Sequence, residues 1–198
     1  MKARRTLAPL AVIGALAIGS LAVGTAPDST RISQPFDVTG DVGDRITTRL
    51  LEVEVAKVSA GPRIVLSHGA LFGTTNPSYT SEGMWVVIDL TATTATESLV
   101  ISGTTLEIGD FVYSPTPLPS PAIDAFTVGS DVPVSGQLVF EVPTALFESD
   151  SAEHARLTVA PPFTARLDEV AVVELSLHDA TQKTAITIDP AFVRGGER

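Results

Sequence analysis

Beyond residue 45 the chain alternates between apolar and polar positions. In "ITTRLLEVEVAKV" Leu51, Val53 and Val55 are separated by Glu52, Glu54 and Ala56, the period of two that lays one face of a strand on a core and the other in water. "RIVLSH" at 63–68 reads as a second short strand after the turn "AGP", and "NPSYTSEG" at 76–83 as a polar loop. "MWVVIDLTATTA" at 84–95 opens apolar on both faces, which predicts a central strand. "SLVIS" and "TLEIGDFVYS" form a further pair around Gly103. In "SGQLVFEVP" Leu138, Phe140 and Val142 face one way, Gln137, Val139 and Glu141 the other, and Pro143 stops the pairing.

"AFTVG", "ARLTVA", "EVAVVELSL" and "TAITID" continue the series, and "TALFESDSAEHA" carries the one helical hint, a loop with a turn or two. The prolines of "SPTPLPSP", from Pro115 to Pro121, give no ladder donors, so this stretch is expected as an extended crossover or a covered edge. Eight to ten short strands without strand–helix alternation predict an all-β, antiparallel β-sandwich over residues 46–190. Its core is expected to pack Trp85, Val87 or their neighbours Val86 and Ile88 against Leu138, Phe140 and Val142. Residues 27–45 read as a polar tether and 191–198 as a disordered tail.

The first 26 residues change the picture. Lys2, Arg4 and Arg5 precede an uncharged run from Leu7 to Val23, the pattern of an export segment and the one hydrophobic helix expected ahead of the sandwich. Seventeen residues rise about 25 Å as a helix, short of a hydrocarbon core of roughly 30 Å. The small residues at Ala22-Val23-Gly24 and Ser20-Leu21-Ala22 suit cleavage, whereas Gly24-Thr25-Ala26 is followed by Pro27. A signal peptide and an uncleaved anchor with its basic end inside both stay open, and either places residues 27–198 outside the cytoplasm, secreted or held at the cell membrane.

Charge follows the same division. Three of the 13 basic residues precede the apolar run and all 23 acidic residues follow it, so residues 27–198 carry 10 basic against 23 acidic groups, a net of −13. Nucleic acid and anionic lipid surfaces are therefore poor partners for the folded part, and the membrane is expected to be met through the N-terminal segment alone. There is no cysteine, which excludes both a disulfide framework and a lipid-modified N-terminal Cys.

The order of "GMWVVIDLTATTA", "LEIGDFVYS" and "VPVSGQLVFEVP" resembles a family of extracytoplasmic domains of unknown function, described as telokin-like and common in Gram-positive bacteria. The resemblance runs from about Leu51 to Phe147 and implies an immunoglobulin-like sandwich outside the cytoplasm, with no catalytic residues to carry over. The chain departs from the family at Thr94, where members often carry Asn, and in lacking the cysteine by which many members are lipidated.

Chemistry-bearing residues are scattered. His68, His154 and His178 stand in separate segments without the partner spacing of a zinc site, and no Gly-x-Ser-x-Gly elbow or phosphate loop occurs. Glu52 and Glu54 share one strand face, the place of a solvated surface as much as of an acid pair. Asp37, Asp41 and Asp44 in "DVTGDVGD", and Glu148, Asp150 and Glu153 in "ESDSAEH", offer oxygens to a hard cation but lack the 12-residue calcium loop, so solvated turns are expected. Trp85 is expected in the core, with an exposed ligand platform as the alternative. Phe72, Tyr79 and Phe126 would make a sticky loop end if they converged. The reading these features support is a non-enzymatic interaction module of the cell envelope, without cofactor or metal, whose partner is an envelope protein or cell-wall component. A small secreted hydrolase or a calcium-dependent binding protein is the alternative, and the oligomeric state stays open.

Overall fold

In the computed structural model the described residues are 35–67, 76–94, 97–118, 122–161 and 168–194; the N-terminal apolar segment, His68 and Phe72 lie outside them. Among the described residues no helix is long and apolar enough to cross a membrane. Twelve strands are described: β1 (Phe36–Asp41), β2 (Arg45–Thr47), β3 (Leu51–Leu66), β4 (Ser78–Thr94), β5 (Thr105–Ile108), β6 (Phe111–Tyr113), β7 (Val134–Val142), β8 (Ala155–Val159), β9 (Glu169–Leu175), β10 (Thr181–Gln182), β11 (Ile186–Ile188) and β12 (Phe192–Val193). The helical hint at 144–155 resolves into α1 (Thr144–Phe147) and a 3-10 turn over Asp150–His154.

The strands form two facing sheets. One runs β1-β9-β8-β5-β6; the other runs β10-β3-β4-β7-β12, with β2 and β11 also paired to β3. Between them Val53, Val55, Val86, Ile88, Leu90, Leu138, Phe140 and Val142 pack against Leu106, Ile108, Leu157, Val159, Val173 and Leu175, all nearly or fully buried. Each such side chain contributes roughly 1.5–3 kcal/mol on leaving water, which is how a chain without disulfides holds two sheets together.

Four expectations need correction. The sandwich is mixed, because β1 runs parallel to β9, and β10 and β11 run parallel to β3. Residues 36–41, read as tether, are β1; the strand buries little, and what holds it is its backbone pairing with β9 from Phe36–Glu169 to Asp41–Glu174. Residues 192–193, read as tail, pair with Ser135 and Val134 as β12. The turn "AGP" lies inside β3, and of the loop "NPSYTSEG" all but Asn76 and Pro77 lies inside β4, so these stretches belong to two long paired strands rather than separating shorter ones.

That pair of strands bends. Its register skips from Gly61–Trp85 to Arg63–Thr80, a bulge that re-aims every later side chain. Glycine is needed on both strands there, because an added Cβ on Gly61 would fall on the Lys183 carbonyl oxygen and one on Gly83 on the Val142 carbonyl oxygen. Past the bend Ile64 and Leu66 join Trp85, Val87, Val139, Ile186 and Ile188 in a second buried cluster.

The expected pairing of core residues is therefore divided between two faces. Val86 lies opposite Phe140 and Ile88 opposite Leu138 in the main core, while Trp85, opposite Glu141, is buried in the second cluster on the other face. The proline-rich stretch borders that cluster: the Thr116 amide donates to the Val139 carbonyl at 2.7 Å and Leu118 packs against the cluster, so an extended segment covers the edge of β7.

Candidate functional site

The acidic segment at 37–44 does not converge. Asp37 takes the Arg156 guanidinium at 2.6 Å, while the Asp44 carboxylate accepts the Asp41 amide at 3.0 Å inside a turn whose Gly43 has φ 96. Asp41 does face Glu174 across the β1–β9 pair, and Glu174 faces Arg156. With His154 and Glu153 they border a groove of about 470 Å³ on the outer face of the first sheet. Arg156 bridges this face, reaching Glu107 at 3.8 Å as well. Among the described residues no three His, Asp or Glu side chains are placed to hold a metal ion.

His178 is exposed in the turn after β9, and Glu148 and Asp150 are exposed around the turn that follows α1. Tyr79, which lies in β4, packs on the second cluster and Phe126 on the main core, on opposite sides of the same sheet, so these two aromatics do not meet.

The second sheet presents a more organised face. Because directly opposite residues share a face, the registers Arg45–Glu54, Glu54–Thr91, Thr91–Ser135 and Ser135–Phe192 make one continuous row across β2, β3, β4, β7 and β12. Thr47, Glu52 and Thr93 form the row on one side; Lys57, Asp89 and Gln137 form the row on the other. The inward neighbours Ile46, Val53, Ala92 and Val134 are in the main core, so these three rows face outward.

The rows are held in place by their own contacts. Arg45 lies 3.5 Å from both Glu52 and Glu54, the Thr91 and Ser135 hydroxyls are 2.8 Å apart, and the Gln137 amide donates to Asp89 at 2.7 Å. Gln137 also accepts the Asp189 amide at 2.9 Å, which fixes the segment between β11 and β12 as one wall. Two adjoining cavities of about 350 Å³ each, sharing Thr91 and Arg194, make this face a trench. Asp131 and Pro133 border one cavity and Asp189 and Phe192 the other.

Only Glu52 and Glu54 in this trench carried a signal readable from sequence. The rest come from segments spread between Arg45 and Arg194 and meet only through strand order.

No protein-family model matches the chain, and no curated protein matches its sequence. Among solved structures it is similar to an uncharacterized β-sandwich protein from Clostridium difficile, with TM-score 0.42 and 14% identity over 72% of this chain and 95% of that one. It is also similar to a candidate lipoprotein from Staphylococcus aureus, with TM-score 0.41 and 10% identity over 73% of this chain and 95% of that one.

Proposed function

We propose that the protein is a non-enzymatic interaction module of the bacterial cell envelope, a telokin-like, immunoglobulin-like sandwich held outside the cytoplasm. Export rests on the basic start and apolar run of residues 1–26, acting as a signal peptide or as a membrane anchor. The observation that carries the reading is the build of the trench. Its floor is strand surface whose side chains interlock with one another, an arrangement that presents a fixed polar pattern rather than activating a nucleophile.

The Arg49–Asp168 pair is in keeping with the same reading. Asp168, held below the usual carboxylate range by its hydrogen bonds from Arg49, and Arg49, raised by the same contact, border neither groove. Groups tuned for chemistry cluster where substrates bind; this pair sits where the two sheets are joined.

The test replaces what chemistry would need. In the full chain, His68, His154 and His178 changed to Ala together with Asp41 and Asp44 changed to Asn should leave capture of envelope partners nearly unchanged. Loss of a hydrolytic activity, or of a calcium-dependent thermal shift, in that variant would establish the hydrolase or calcium-binding alternative.

A further inference from the structure

We propose that the trench on the outer face of the second sheet binds a neutral glycan chain, with Phe192 as the stacking ring; the inference rests on the interaction-module reading and names its partner class. Peptide recognition by strand addition needs unpaired backbone edges. Here β3, β4 and β7 are paired on both sides at the row from Arg45 to Phe192, so a ligand lying on that floor meets side chains rather than free backbone. The side chains on offer suit polyhydroxyl groups, each of which donates and accepts at once. Glu54 and Glu52 accept, Arg45 and Arg194 donate, and Thr91, Thr93 and Ser135 do both.

Shape and charge point the same way. The row from Arg45 to Phe192 crosses five strands, about 19 Å at 4.8 Å per strand spacing, a length suited to a short run of sugar rings. It ends at Phe192, 56% exposed, whose ring offers an apolar surface to the C–H face of a sugar. Carboxylates outnumber cations, with Glu52, Glu54, Asp89, Asp131 and Asp189 against Arg45, Lys57 and Arg194. A phosphate-bearing polymer would be repelled, and a neutral one would not.

The experiment uses the full chain in a detergent without a sugar headgroup, titrated with a neutral hexasaccharide of β-1,4-linked N-acetylglucosamine and followed by nuclear magnetic resonance and calorimetry. Resonances of Thr91, Thr93, Ser135 and Phe192 are expected to shift. Phe192→Ala should weaken binding roughly tenfold, equivalent to about 1.4 kcal/mol, and Thr93→Val, which keeps the strand intact, should weaken it severalfold. Glu174→Gln, on the other sheet, should change nothing. The assignment is overturned if the hexasaccharide shifts no trench residue, if Phe192→Ala and Thr93→Val bind like the parent, or if a cell-wall stem peptide occupies the trench instead. Failure with envelope proteins still captured would remove the glycan assignment alone. Cleavage of the bound probe would support the trench and remove the non-enzymatic reading.

Discussion

Arg49 grips Asp168 with two parallel hydrogen bonds, Nε to Oδ1 at 2.9 Å and Nη2 to Oδ2 at 2.5 Å. The guanidinium side chain is 67% exposed and the carboxylate only 5%. Arg49 stands just before β3 in one sheet; Asp168 stands just before β9 in the other, and its carbonyl accepts the Phe36 amide that starts β1. The Arg49 amide also donates to Glu169 at 2.8 Å. One fork thus joins the entrances of three strands across the sandwich.

The asymmetry in exposure predicts an order of damage. Arg49→Ala leaves a nearly buried carboxylate without its cation, whereas Asp168→Asn leaves an arginine that water solvates. Arg49→Ala should therefore lower the melting temperature at neutral pH by more than Asp168→Asn. Equal shifts would mean that the carboxylate is hydrated once the arginine is gone.

The same pair sets an acid-side dependence. Its hydrogen bonds with Arg49 hold Asp168 below the usual carboxylate range, against the opposing effect of desolvation. A depressed folded-state pKa gives stability that is present above the unfolded value, about 3.9, and lost as pH falls through the folded value. Denaturation midpoints from pH 7 to pH 2 should fall more steeply in the parent than in Asp168→Asn, with the two curves converging at the acid end.

Asp124 runs the other way. Burial raises its pKa, and its own amide and that of Ala125 offset this only in part. A raised folded-state value means stability that is complete below the unfolded pKa and lost as pH rises through the folded one. Asp124→Asn should accordingly be more stable than the parent at pH 7, with the difference closing near pH 3 in the same titration.

What was legible in the sequence was the part that local alternation controls. Leu138, Phe140 and Val142 each have their neighbours two residues away, so their common face could be read directly, as could that of Leu51, Val53 and Val55. The bend in β3 was not, since Gly61 and Pro62 have the composition of a turn, and only the approach of the Lys183 carbonyl shows why glycine sits in a continuous strand. β1 was illegible for a different reason: only Val38 of this strand packs on the core and backbone pairing to β9 holds the rest, which is too short an apolar stripe to betray it. The trench was hidden by distance, because Arg45, Thr91, Ser135 and Phe192 become neighbours only after five strands take their order.

The bend makes its own prediction. Gly83→Ala places a methyl on the Val142 carbonyl and Gly61→Ala one on the Lys183 carbonyl, both backbone atoms that cannot swing aside. Each should cost at least the 1–3 kcal/mol typical of overpacking, measured by urea denaturation. Gly129→Ala, where the nearest atom is 3.8 Å away, should cost far less.

Trp85 tests whether the second cluster is a core in its own right. The side chain is buried among Ile64, Val87, Val139 and Ile186, yet its Nε1 has no hydrogen-bond partner among the described residues. Two effects then oppose each other in Trp85→Phe. The smaller ring leaves part of the site unfilled, while removing a buried unpaired donor relieves a penalty of about 1–3 kcal/mol. The substitution should be close to neutral in urea denaturation. Trp85→Ala keeps the relief but empties the site, and large aromatic truncations cost about 3–5 kcal/mol, so it should be clearly destabilising. If Trp85→Phe were as damaging as Trp85→Ala, the indole N–H would have to be satisfied in solution. If both were neutral, the folded-over hairpin would not pack on this face at all.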